Sequence, residues 1–178
     1  MFPLQYAVYK GTGGKFGALQ FNLQRPHYTD GKDRDFTGST ALEDSGGRRK
    51  LKEGWKERPG CVFMEITSTK EGQKNVYDWD QKVIMALSVN DMGKILLTLA
   101  TGVECKIMHD PGAKSESQGA IKKWLSVSSP QGTAKGVMFT VSMQAAGDER
   151  RHTVPLTGDE VMVLRSLLQR AIATAQNW

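Results

Sequence analysis

Leu19, Phe21 and Leu23 alternate with Gln20, Asn22 and Gln24. That two-residue period belongs to a strand with one face buried. The same reading makes residues 5–10 and 18–24 extended, and 61–67 and 82–88 strands of a more continuous apolar kind. Residues 103–108, 120–128, 136–144 and 150–155 supply four more. Two segments change period. Ser88 followed by Asp91 forms a capping box that opens a helix, and Gly102 is a natural stop for it. Thr157 with Glu160 opens a second, in which Val161, Leu164, Leu167, Leu168, Ala171 and Ile172 fall on one face. The order is strands, helix, strands, helix, which predicts an α+β domain. Residues 25–47 are polar and rich in Gly, Asp, Ser and Thr, and read as one long flexible loop.

Length and charge narrow the picture. A chain of 178 residues suits a single domain, residues 1–178, with a substantial core. The net charge of +5 favours an anionic partner, although a soluble protein can also be basic without one. The longest apolar run, 83–100, is broken by Asn90, Asp91 and Lys94 and is not a membrane span. Cys61 and Cys105 stand far apart inside apolar runs, which predicts buried free thiols and a reducing compartment. Met1-Phe2-Pro3-Leu4 has neither the apolar core of a signal peptide nor an arginine-rich transit pattern.

Catalytic chemistry finds no constellation, so no enzyme, cofactor or metal is expected. His27, His109 and His152 are the only histidines, and no nucleophile motif accompanies the His109-Asp110 pair. No Cys/His pair has zinc spacing. Asp78 and Asp80 would share a strand face but lack a third carboxylate. The segment Gly11-Thr12-Gly13-Gly14-Lys15-Phe16-Gly17 has Phe where a P-loop needs Ser or Thr. Phe16 also stands where a dinucleotide fingerprint needs glycine. A glycine turn whose amides and lysine meet phosphates is still open.

Stacking on bases needs flat rings, and holding phosphates needs cations beside them. Three segments offer both: Tyr9 and Lys10 through Lys15 and Phe16; Trp55 and Lys56; and Tyr77, Trp79 and Lys82. The second lies in 48–58, where six basic residues face two acidic ones. Trp55, flanked by charge, is the candidate for an exposed ring. Trp79 suits either a core or a stacking role, and Trp124, in an apolar strand, reads as core. Gln20, Asn22, Lys106 and Lys122 would add polar and basic groups to a strand surface. Such a surface suits sequence-tolerant, salt-dependent binding of single strands more than duplex readout by a basic helix.

Several motifs together resemble the Whirly family of single-stranded DNA-binding proteins, whose structural relatives are the kinetoplastid mitochondrial guide-RNA-binding proteins. They are Val8-Tyr9-Lys10-Gly11; Tyr77-Asp78-Trp79 running to Leu87-Ser88-Val89 and Gly93; Cys105 with His109-Asp110-Pro111; and Val154-Pro155-Leu156-Thr157 with Glu160, Val163 and Leu164. The likeness runs from about Tyr6 to Trp178. It departs at Thr12–Gly17, which separates the first lysine-glycine pair from Ala18-Leu19. The resemblance implies two antiparallel four-stranded sheets packed crosswise with two helices. It implies a homotetramer built through the helices, and single-stranded DNA running along sheet edges between protomers. It also implies a mitochondrial or other organellar setting. Carried onto this chain, it points to Lys10, Lys15, Tyr77, Trp79 and Lys82.

Three functions therefore stand open. The first is a sequence-tolerant single-stranded DNA-binding protein of replication, recombination or repair. The second is an RNA-binding or annealing protein of the guide-RNA type. The third is a transcription-regulating interaction module.

Overall fold

The computed structural model describes residues 5–11, 16–30, 35–36, 42–46, 48–111, 119–130, 132 and 135–176. Lys15, and most of the glycine turn around it, lies outside the described residues. The strands, in chain order, are β1 (Gln5–Tyr9), β2 (Gly17–Gln24), β3 (His27–Thr29), β4 (Asp35–Phe36), β5 (Leu42–Ser45), β6 (Arg48–Leu51), β7 (Lys56–Arg58), β8 (Cys61–Ser68) and β9 (Val83–Leu87). Helix α1 (Val89–Thr101) follows, then β10 (Cys105–His109), β11 (Ile121–Ser128), β12 (Val137–Ala145), β13 (Asp148–Leu156) and helix α2 (Gly158–Ala175).

Two four-stranded sheets dominate. The first has the order β1-β2-β8-β9 and the second β10-β11-β12-β13, and every pairing in both is antiparallel. The period-2 pattern explains why they pack on one another. Leu19 and Phe21 of β2, Val62, Met64 and Ile66 of β8, and Val83, Met85 and Leu87 of β9 turn inward. They meet Leu125 and Val127 of β11, Phe139 and Val141 of β12, and Val154 of β13 in one apolar cluster. Phe21 and Phe139 join the sheets edge to face, with ring centroids 6.0 Å apart. Burial of each such side chain stabilises the fold by about 1.5–3 kcal/mol before entropy is counted. At its start β2 lies so close to its neighbour β8 that a Cβ on Gly17 would overlap the Thr67 carbonyl.

The helices cover the remaining apolar edges. Met92, Ile95 and Leu99 of α1 and Val161, Leu164 and Leu168 of α2 are buried in the same cluster. Both capping boxes form as the sequence predicts, on Ser88 with Asp91 and on Thr157 with Glu160. Gly102 closes α1 in the left-handed conformation, φ 78°, with its N–H on the Thr98 carbonyl.

Three expectations are corrected. The segment 25–47 is not one irregular loop: β3, β4 and β5 fall inside it. β3 lies between β4 and β7, and β5 pairs with β6. Strands of two to four residues are too short to show a readable period. Asp78 and Asp80 do not share a strand face; residues Trp79–Gln81 form a single 3-10 turn with Asp78 as its N-cap. Cys61 and Cys105 are free thiols, as expected, but only half-buried. Burial pushes the Cys61 thiol pKa up.

Candidate nucleic-acid interface

The structure gathers most of the predicted residues at one end of the first sheet. Tyr9 ends β1 opposite Ala18, the second residue of β2. Tyr9 is 55% exposed, and its ring centroid lies 5.3 Å from that of Tyr77, with the planes tilted by 52°. Burial, helped by the neighbouring Tyr9, raises the Tyr77 pKa. Phe16, half-buried, holds the same end, its carbonyl accepting from the Thr69 N–H at 3.0 Å. The turn bearing Trp79 lies over this end and is fastened through its carbonyls. Thr67 donates to that of Asp78, His152 Nε2 to that of Gln81 at 2.9 Å, and Arg150 to that of Lys82 at 3.4 Å. Trp79 itself is half-buried.

The predicted lysines are present but engaged. Lys10 Nζ donates to Glu160 at 2.8 Å, and Glu160 in turn accepts from the Thr157 N–H, so this lysine braces the start of α2. Lys82 Nζ donates to Glu65 at 2.8 Å on the outer face of the first sheet. A phosphate at either must compete with a carboxylate already in place. Gln20 sits on the same outer face and donates to Asn22 at 3.2 Å.

Trp55 and Lys56 are not part of this group. β7 pairs with β3, which leaves the far end of β2, about 20 Å of strand from Tyr9 at 3.3 Å per residue. Trp55 is half-buried rather than exposed, with Lys52 Nζ 6.0 Å from its ring, while Lys56 is exposed.

A groove that sequence reading missed runs between the edges of the two sheets. It is lined by Phe63, Ile84 and Ala86 from the first sheet, and Met108, His109 and Lys123 from the second. Phe63 and Met108 are exposed. Lys123 spans the groove, donating to the Ile84 carbonyl at 2.8 Å, and its burial lowers its pKa. His109, at the end of β10, contacts Asp91 of α1 at 3.1 Å.

Trp124 is the clearest correction. It is not core: 38% of it is exposed, on the outer face of the second sheet. Leu125 and Val127 point inward, so alternation puts Lys122, Trp124 and Ser126 outward. The signal was present in the period, and the apolar character of the strand hid it.

Comparison with known proteins agrees with this architecture. The model of the family described as "Whirly transcription factor" matches residues 44–167. The chain is 26% identical over 174 residues to the chloroplastic single-stranded DNA-binding protein WHY1 of Zea mays, covering 97% of this chain and 56% of that protein. It is 28% identical over 124 residues to the mitochondrial single-stranded DNA-binding protein WHY2 of Arabidopsis thaliana, covering 68% of this chain and 50% of that one. The chain thus spans about half the length of the curated relatives it matches. Among solved structures, WHY1 of Arabidopsis thaliana superposes with a TM-score of 0.76 at 24% identity, covering 100% of this chain and 88% of that one. The trypanosomal MRP1/MRP2 structure superposes with a TM-score of 0.51 at 10% identity, covering 97% and 86%. Two four-stranded antiparallel sheets with two helices are the fold these structures share with it. By its matched segment and its fold, this chain belongs to the Whirly family.

Proposed function

We propose that this chain binds single-stranded DNA with little dependence on base sequence, and acts where strands are exposed in replication, recombination or repair. The observation that carries the reading is the groove between the sheet edges. Phe63, Ile84, Ala86 and Met108 offer apolar surface at the width of a sheet edge, and Lys123 stands beside it. Every base has an apolar face, so a surface of this kind accepts all four. Tyr9, Tyr77 and Trp79 extend the stacking surface at the end of the first sheet, with Phe16 and Gln20 beside them. Lys10 and Lys82 assist only by exchanging Glu160 and Glu65 for phosphate. Lys15 is kept as a candidate phosphate ligand by its residue type alone, and Trp55 and Lys56, beyond the far end of β2, stand apart from this surface. The names of the chloroplastic and mitochondrial relatives support both the ligand and an organellar setting.

Assembly belongs to the same reading. Leu97 on α1 and Met162 and Val163 on α2 are exposed, which suits association of copies through their helices into a homotetramer. No described helix is long and apolar enough to cross a membrane.

Fluorescence anisotropy with labelled oligothymidine, the matched RNA and a DNA duplex, across a salt series, tests the proposal. We expect tight binding of the DNA single strand, weakening linearly in log–log with salt. Phe63→Ala should weaken it about tenfold, in the range of one lost base stack. Preference for duplex would overturn the reading; preference for RNA would move it to the guide-RNA type.

A further inference from the structure

The outer face of the second sheet carries an aromatic and basic row that begins at the groove and extends beyond it. Register places Met108, Trp124, Ser142 and Arg151 side by side across β10, β11, β12 and β13. Four strands at about 4.8 Å spacing make this row about 14 Å long. Met108 and Trp124 are 58% and 38% exposed. Lys122, two residues before Trp124 on the same face, and Arg151 are exposed, and neither has a carboxylate partner among the described residues. Two carboxylates share this face and are engaged, and one of them, Glu149, stands in the neighbouring register row with Gln144 and Lys122. Glu104 accepts from Ser126 at 2.7 Å, and Glu149 from Gln144 at 3.3 Å. The row is also continuous with the groove, because Met108 lines both.

We infer that this face is a second segment of the single-strand track: a DNA strand leaving the groove crosses Met108, stacks a base on Trp124, and sets phosphates against Lys122 and Arg151. The inference rests on the single-strand reading above. Its physical basis is charge complementarity around a solvent-facing ring. Ser142 between Trp124 and Arg151 is small enough to leave the indole face open. The two cations stand on different sides of the ring, one along β11 and one two strands away, as a backbone passing over it requires. Sequence selectivity is not expected, since stacking accepts any base and the cations meet only phosphate.

The test compares wild type, Trp124→Ala, Trp124→Phe, the double variant Lys122→Gln/Arg151→Gln, and Phe63→Ala, by anisotropy with a long oligothymidine across a salt series. Trp124→Ala should bind about tenfold more weakly, and Trp124→Phe close to wild type, because a ring is kept. The charge pair should flatten the log–log salt slope by about 1.4, at about 0.7 for each phosphate of a single strand that is no longer neutralised. Trp124 is at the surface, and circular dichroism checks that each variant is folded. Two results would overturn the inference. One is unchanged affinity and slope in the Trp124 and charge variants while Phe63→Ala weakens binding, which confines the strand to the groove. The other is equal loss in Trp124→Ala and Trp124→Phe. Failure of the wild type to bind any single strand is a separate outcome, and it removes the parent reading as well.

Discussion

At the residue scale, His152 shows how a side chain that touches no ligand can set the shape of a surface. It is buried on β13, with Nδ1 2.8 Å from Ser68 Oγ and Nε2 2.9 Å from the Gln81 carbonyl. A carbonyl can only accept, so Nε2 carries the proton and Nδ1 accepts from Ser68. Burial is the main force lowering its pKa; Arg150 adds to this, and the Gln81 carbonyl and Asp78 oppose it. The folded value lies below the unfolded one, so the unfolded chain binds more protons in the window between them. Stability is full above about pH 6.5 and falls as pH drops from there through the folded value. His152→Ala should cost about 2–4 kcal/mol, from the unmade bonds to Ser68 and Gln81. It should also flatten the pH dependence. Urea midpoints at neutral pH and near pH 5 check both, and identical pH dependence in wild type and variant would refute the assignment. Sequence reading set His152 aside because neither partner is near it in the chain. Ser68 is 84 residues away and Gln81 is 71.

At the scale of elements, the start of α1 joins helix to sheet. Ser88 donates to Asp91 from its hydroxyl at 2.7 Å and from its N–H at 3.0 Å, and the Asp91 N–H returns a bond to Ser88 Oγ at 3.2 Å. Burial would raise the Asp91 pKa, but these bonds and His109 outweigh it and hold the carboxyl below its ordinary value. That stabilisation is present above the unfolded carboxyl's range, near pH 4, and is lost as pH falls further. Ser88→Ala should cost about 1 kcal/mol, the usual loss of a cap. Asp91→Ala should cost more, since it also removes the His109 partner on β10. Denaturant titration ranks the two, and equal losses would mean that His109 adds nothing. The cap itself was legible, because a capping box lies within four consecutive residues. The His109 bond was not, and neither was the pairing of β3 with β7, which joins segments far apart in the chain; β4 and β5 pair locally but are too short to show a period.

At the scale of the molecule, charge and exposure are distributed by face. The helices expose the apolar side chains of Leu97 and Met162, at 61% and 60%, whereas the outer face of the second sheet is polar and basic around Trp124. Assembly through helices would leave the sheets open to a strand. Light scattering should therefore give a mass several times the 19.7 kDa of one chain. Leu97→Asp with Met162→Asp should lower it to that of one chain while far-UV circular dichroism is unchanged. An unchanged mass would place the subunit interface elsewhere.

What the sequence determined by itself was whatever depends on neighbours in the chain: the main strands through their period, both helices through their caps and apolar stripes, and enough motif to point to the family. Alternation even contained the outward turn of Trp124, read inward only because the strand is apolar overall. Tertiary structure alone decided the rest. It paired Lys10 with Glu160 across 150 residues and Lys82 with Glu65 across 17, turning two predicted phosphate ligands into braced cations. It parted Trp55 from Tyr77 and built a groove from two sheet edges that are never adjacent in sequence. The reason is physical. Backbone period and capping are set within a few residues, but which face meets water, and which charge meets which, is settled only when the sheets pack.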